Sequence, residues 1–314
     1  GGAGNDYILG GDGNDSVLGG EGNDYAQGGN GNDTLTGGDG NDDLYGNNGN
    51  DSIGGGDGND DLYGGEGNGT FSGGYGNDNI DGGAGIDDIE GEYGDDSIDG
   101  GDGNDTIEGG DGNDSIAGAA DNDDIEGGNG DDTIDGGSGD DTIDGGRGDD
   151  FIDGGSGADS IHGGTPGVGV TSGNDTIVFD DMDTVDGGTG ADFLVVKSDL
   201  NFATIGANQL VNLEGLSLEY GADVDVTLSA ADVLNFEASS NWKVQGSGGV
   251  GQIQLVITGD SGDGDSVTLT GFSFLSSGTL TGVNAGFYPG GTYNFYNAGG
   301  VIVAVEDGVD VFTP

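Results

Sequence analysis

Aspartate recurs at every ninth residue: Asp6, Asp15, Asp24, Asp33, Asp42, Asp51 and Asp60, then Asp78, Asp87, Asp96, Asp105, Asp114, Asp123, Asp132, Asp141, Asp150 and Asp159. Only Gly69 interrupts the series. Most members close a G-G-x-G-x-D segment, and each is followed by x-U-x, where U is apolar in every copy, from Ile8 and Val17 to Ile152 and Ile161. Eighteen such nonapeptides fill residues 1–162 without insertion or deletion. Carboxylates set in glycine backbone are a donor set for a hard cation. Calcium takes about six to eight oxygens, which carboxylates and main-chain carbonyls supply. Glycine lets those carbonyls converge because φ > 0 costs it little. A low-complexity linker would not hold the apolar position in phase, so a disordered spacer does not account for the pattern.

Elements of fixed length must position these carboxylates. In period and composition the nonapeptides resemble the repeats-in-toxin (RTX) family. That resemblance implies an all-β fold, a right-handed parallel β-roll with two nonapeptides per coil. Each G-G-x-G-x-D is then a turn and each x-U-x a short strand. Calcium lies between turns stacked on the same side, so that repeat n and repeat n+2 offer two Asp residues to one ion, as with Asp6 and Asp24 or Asp15 and Asp33. Nine coils leave room for up to about 16 ions, and Gly69 weakens the two sites it borders, leaving about 14. One apolar side chain per nine residues is too little burial to order a glycine-rich backbone. Residues 1–162 are therefore expected to be unfolded without Ca2+ and folded with it.

Composition narrows the partners. The 314 residues include 79 Gly, and 61 acids stand against three bases, for a formal net charge of −58. Such a chain repels itself unless cations accompany it, and it lacks the basic surface that nucleic acid or anionic lipid requires. There is no Cys, hence no disulfide framework. No apolar run is long enough to span a bilayer as a helix. No N-terminal export signal is visible, and the chain begins in phase with its repeat without an initiator Met, which reads as a fragment or processed form.

Positions 7 and 9 of each nonapeptide flank U and should face outwards. At position 9, Glu90, Glu108, Glu126 and Asp144 form one expected ladder; Asp81, Asp99, Asp135 and Asp153 form another, interrupted by Ala117. The ladders suit either solvation or a second, weaker cation surface that bridges neighbouring molecules or anionic cell-surface polysaccharide. Tyr7 should stack on Tyr25 and Tyr45 on Tyr63. His162, the only histidine, occupies position 9 of the last copy, an outward surface place.

After Ile161 the register breaks. Residues 163–196 are read as a bridge with two degenerate copies, at Asp175 in "SGNDTIVF" and Asp192 in "GGTGADFLV". Residues 197–314 are read as a β-rich, sandwich-like cap. It comprises strands at "LSLEY", "VDVTL", "QIQLVITGD", "DSVTLTGFSF", "TYNFY" and "VIVAVEDG", a hairpin turn at 297–300, one short helix at "SAADVLNF" with Ser229 and Asp232 in capping-box-like spacing, and Trp242 in the core. This order resembles the C-terminal region of large type I secreted RTX adhesins. It implies that the last ~60 residues carry an uncleaved secretion signal.

No catalytic constellation is visible: there is no H-E-x-x-H helix, G-x-S-x-G elbow or cysteine. The chain is therefore expected to be a non-enzymatic, calcium-dependent structural or adhesive protein: an adhesin terminus, surface-layer protein or filament subunit. It would be secreted to the extracellular space or surface of a Gram-negative-type bacterium and engaged in self-association or polysaccharide binding. The alternative is a secretion and stability tail of an RTX enzyme or toxin whose active domain lies upstream of Gly1. Ice binding would need a face of regularly repeated Thr or Asn, and position 3 varies too much for that (Ala3, Asp12, Glu21, Asn30, Arg147).

Overall fold

In the computed structural model, the described residues are 1–164, 173–179, 182–190 and 192–196. Beyond these, strand segments are described, at 200–201, 210–211, 215–218, 225–229, 243–245, 255–259, 266–270, 273–281, 292–298, 301–306 and 310–312, together with Leu213. The chain forms two compact units, Gly1–Thr165 and Pro166–Pro314.

The first unit is a parallel β-roll. One sheet runs through Ser16–Glu21, Thr34–Asp39, Ser52–Asp57, Thr70–Tyr75, Asp88–Tyr93, Thr106–Asp111, Asp124–Asn129 and Thr142–Arg147. The other runs through Tyr7–Asp12, Tyr25–Asn30, Asp43–Asn48, Asp61–Glu66, Asn79–Ala84, Ser97–Asp102, Ser115–Ala120 and Thr133–Ser138. Every pairing is parallel and offset by two nonapeptides, for example Ile80 with Ile98 and Ile98 with Ile116. On the opposite sheet Ile89 pairs with Ile107, Ile107 with Ile125 and Ile125 with Ile143. Two nonapeptides therefore make one coil. The U side chains form the core: from Ala26 to Ile161 they are buried, with Phe71 the largest.

The strands are longer than x-U-x. The sixteen named above run six residues, x-U-x and the first three of the next repeat, and most alternate outward and inward through the position-1 glycine, as in Thr106–Asp111; Phe151–Asp153 and Ser160–His162 keep to three. Only three residues remain for the turn proper. The glycines have two separate causes, seen in repeat 12. Gly101 and Gly103 have φ of +103° and +142°, which side chains resist. Gly100 has no such φ, but a Cβ there would stand 2.7 Å from Asp105 Oδ2 and 3.0 Å from the Gly118 carbonyl oxygen. Where position 2 or 4 is not glycine the backbone keeps positive φ, at Asn47, Glu92, Ala119 and Asp121.

The second unit begins with short parallel strands. Thr176–Phe179 pairs with Phe193–Val196, which pairs with Gly215–Leu218 and then Leu255–Gly259 and Val301–Glu306. A separate sheet orders Leu200–Asn201, Asp225–Ser229, Ser266–Thr270 and Asp310–Phe312, all in parallel. The β-rich expectation is met, but among the described strands these pairings are mostly parallel rather than the antiparallel faces of a common sandwich. Among the described residues, antiparallel pairing is confined to Lys243–Gln245, Ser273–Thr281, Thr292–Ala298 and Val301–Glu306. The expected hairpin is there: Ala298 pairs with Val301. Ser229, expected to cap a short helix at "SAADVLNF", instead ends the strand Asp225–Ser229, and the rest of that segment and Trp242 lie outside the described residues.

Candidate metal centre

The recurrent aspartates fall into two rows, one on each side of the roll. Asp6, Asp24, Asp42, Asp60, Asp78, Asp96, Asp114, Asp132 and Asp150 make one; Asp15, Asp33, Asp51, Asp87, Asp105, Asp123, Asp141 and Asp159 make the other. From Asp24 to Asp159 each is at most 4% exposed, while Asp6 and Asp15 are half-buried. Their two oxygens do different work. Oδ1 accepts a hydrogen bond from the backbone N–H of the Asp one coil earlier: Asp24 from Asp6 and Asp33 from Asp15 at 2.7 Å, Asp105 from Asp87 at 2.8 Å, Asp159 from Asp141 at 3.0 Å. Oδ2 is buried and receives no hydrogen bond in Asp15, Asp24, Asp33, Asp42, Asp51, Asp60, Asp78, Asp87, Asp96, Asp105, Asp114, Asp123, Asp132 and Asp141. It lies over the position-1 glycine of its own repeat, beside a glycine carbonyl of the next coil. Built on Gly136, a Cβ would be 2.6 Å from both Asp141 Oδ2 and the Gly154 carbonyl oxygen.

A buried carboxylate oxygen with no donor is costly unless a cation meets it. Burial first, and then nearby like charges (Glu92 for Asp78, chiefly the Asp one coil away for the others), push these groups up from an ordinary 3.8. Asp60, Asp123 and Asp132 reach about 7; Asp78, Asp96, Asp105 and Asp114 reach about 6. The bond from the preceding Asp N–H opposes the rise without cancelling it. Among the described residues no three acidic or histidine side chains converge on one point. A cation here must take most of its oxygens from the glycine-lined backbone, which suits a hard ion with many oxygen ligands and not a zinc-type site.

Sequence reading missed a second ladder. Position 5 is Asn or Asp in most copies, and its side-chain oxygen accepts from the N–H one coil later: Asn32 to Asn14 at 3.1 Å, Asn113 to Asp95 at 2.9 Å, Asp149 to Asp131 at 2.9 Å. The two ladders run in opposite directions and clamp each turn to both neighbours. The sequence signal for the second ladder is the recurrence of Asn or Asp at position 5, one residue before each Asp.

In the second unit Asp175 and Asp192 are fully buried, and Asp175 N–H donates to Asp192 Oδ1 at 2.9 Å. They repeat the roll's device at a spacing of 17. Asp183, also buried, was missed. It stands nine residues before Asp192 and opens the D-x-U-x-G-G run Asp183–Gly188.

Positions 7 and 9 face solvent as expected, with Glu90, Glu108 and Glu126 in register along one sheet. Asp81 pairs with Asp99 on the other, and burial and then Asp99 raise the Asp81 pKa. His162 pairs in register with Asp144 and is half-buried. The rings of Tyr7 and Tyr25 stack at 4.8 Å, as do those of Tyr45 and Tyr63. A tilted Tyr25–Tyr45 contact at 5.2 Å joins the pairs into one run. Tyr75 and Tyr93 form a further stack at position 3.

Glycine-lined turns, two rows of buried carboxylates and parallel coils define a cation-binding parallel β-roll. The RTX calcium-binding nonapeptide repeat family matches residues 1–165 in overlapping stretches and residues 179–195 again, more than half of the chain. The chain belongs to that family, and its roll is a structural, calcium-binding fold. Compared with curated proteins, the chain has no significant match. No helix of the described residues is long and apolar enough to cross a membrane.

Proposed function

We propose that the chain is the calcium-folded part of an extracellular structural or adhesive protein that leaves the cell unfolded by type I secretion, as RTX membership implies. The observation that carries the calcium dependence is the set of buried Oδ2 atoms without donors. In this reading Asp6 to Asp159 supply Oδ2 to ions held between stacked turns, with glycine carbonyls completing each shell. Asp175 and Asp192 do the same in the second unit. About 14 ions load the roll. Calcium supplies the positive charge that lets these carboxylates be ionised and buried together. The chain's own residues fix their orientation: the Asp N–H of the preceding coil holds Oδ1, and the missing Cβ of the position-1 glycine leaves room for Oδ2.

Low calcium inside a cell keeps such a chain open for export, and higher calcium outside folds it. The structural role is supported by the length of the roll and by its outer faces. The acidic ladders in register can be bridged by cations to a second copy or to anionic polysaccharide, and the tyrosine run stiffens the opposite half. Electron microscopy of the purified chain in millimolar calcium tests this. Filaments or lattices that dissolve in chelator are expected; monodisperse rods at all concentrations would favour the secretion-tail alternative.

A further inference from the structure

Repeat 8 departs from the pattern at two positions. Gly69 stands where the other copies carry Asp, and Phe71, two residues on, is the only aromatic U residue. The departures meet in space. Elsewhere the volume over the position-1 glycine holds Oδ2: a Cβ on Gly82 would be 2.8 Å from Asp87 Oδ2, and one on Gly73 would be 2.5 Å from Asp78 Oδ2. Over Gly64 it holds the Phe71 ring, whose Cζ would be 2.6 Å from a Cβ there. The same Cζ would be 2.5 Å from a Cβ on Gly69. Phe71 is 1% exposed, between Ile53 and Ile89. One coil on, position 5 is Ile86, a side chain with no oxygen, so the second ladder loses its acceptor in the same row. Asp51 N–H correspondingly lacks the carboxylate acceptor that Asp33, Asp42 and Asp60 N–H each have.

We infer that Phe71 is an apolar plug that replaces a metal site outright, so that repeat 8 is not a weakened calcium site awaiting its carboxylate. This rests on the calcium reading above and adds to it. The ring fills the place of a carboxylate oxygen, excludes water and ion together, and splits this row into a block of Asp15, Asp33 and Asp51 and a block of Asp87, Asp105, Asp123, Asp141 and Asp159. Restoring the aspartate alone cannot restore the site, because the ring and the new carboxylate claim one volume.

The test compares the full chain with Gly69→Asp, Phe71→Ile and the double variant. Bound calcium is counted by equilibrium dialysis with metal analysis, and melting is followed by circular dichroism in calcium. Each single variant should bind as many ions as the parent, and Gly69→Asp should melt roughly 5–10 °C lower from overpacking. The double variant should gain ions, up to two per chain, and melt above Gly69→Asp only when calcium is present. Gain of ions by Gly69→Asp alone, or no gain by the double variant, overturns the plug. A parent chain that binds no calcium overturns the calcium reading itself and the plug with it.

Discussion

Replacing Asp105 by Asn separates the interior carboxylates from the exterior ones. Asparagine keeps an oxygen that can accept from Asp87 N–H, a bond of 2.8 Å. It removes the anion at Oδ2 and puts an NH2 group beside the glycine carbonyls that should face the ion. Asp105 borders two gaps, towards Asp87 and towards Asp123. An ion at 100 times its dissociation constant contributes about 2.7 kcal/mol, so loss of both costs about 5 kcal/mol. The control is Glu108→Gln, three residues on, which deletes the same charge from the outer ladder beside Glu90 and Glu126. It should change stability by no more than about 0.5 kcal/mol. Urea unfolding in saturating calcium measures both, and metal analysis should show Asp105→Asn losing one or two ions and Glu108→Gln losing none. Equal effects of the two substitutions would refute the division of labour between the faces.

Acid should act in place of calcium. With the carboxylates of Asp60, Asp123 and Asp132 raised to about 7, and those of Asp78, Asp96, Asp105 and Asp114 to about 6, the calcium-free fold favours their protonated forms. This stabilisation is fully present below the unfolded pKa near 3.8 and is lost as pH rises through 6–7. In chelator, circular dichroism should therefore gain β signal on acidification from pH 7 to 4, whereas calcium affinity should fall over the same range. Ala119→Gly should stabilise the calcium-loaded roll by about 1 kcal/mol, because Ala119 is held at φ +78°; thermal melting reads this. Gly54→Ala should be tolerated, as nothing lies within 4 Å of its Cβ position. Gly55→Ala, where a Cβ would overlap Asp60 Oδ2 and stand 2.6 Å from the Gly73 carbonyl oxygen, should lose several kcal/mol and bound calcium.

Much of the roll was legible because one geometric rule generates it. A strict period of nine with one apolar residue per copy keeps the U side chains in phase, and two nonapeptides per coil, which the RTX resemblance implies, then gives the observed register of Ile89, Ile107 and Ile125. Asp105 and its counterparts were legible for the same reason. What escaped was set by contacts between coils, not by the period. The strands extend through G-G-x because the position-1 glycine continues the inward alternation. Tyr25 reaches Tyr45 although they occupy positions 7 and 9, because a long ring spans that diagonal. Phe71 was visible as an apolar residue, but its ring's place over Gly64 depends on the volume that Gly69 leaves empty. Asp183 was hidden because it keeps D-x-U-x but has no glycine in the six residues before it, unlike Asp192.

The central claim is that buried, donor-free carboxylates make the roll's folding conditional on calcium. Far-ultraviolet circular dichroism of the chain at pH 7, first in excess chelator and then across a calcium titration to millimolar, tests it most directly. The account predicts a spectrum without β signal in chelator and a steep, reversible gain of β structure as calcium is added. A full β signal in chelator that calcium leaves unchanged would contradict it.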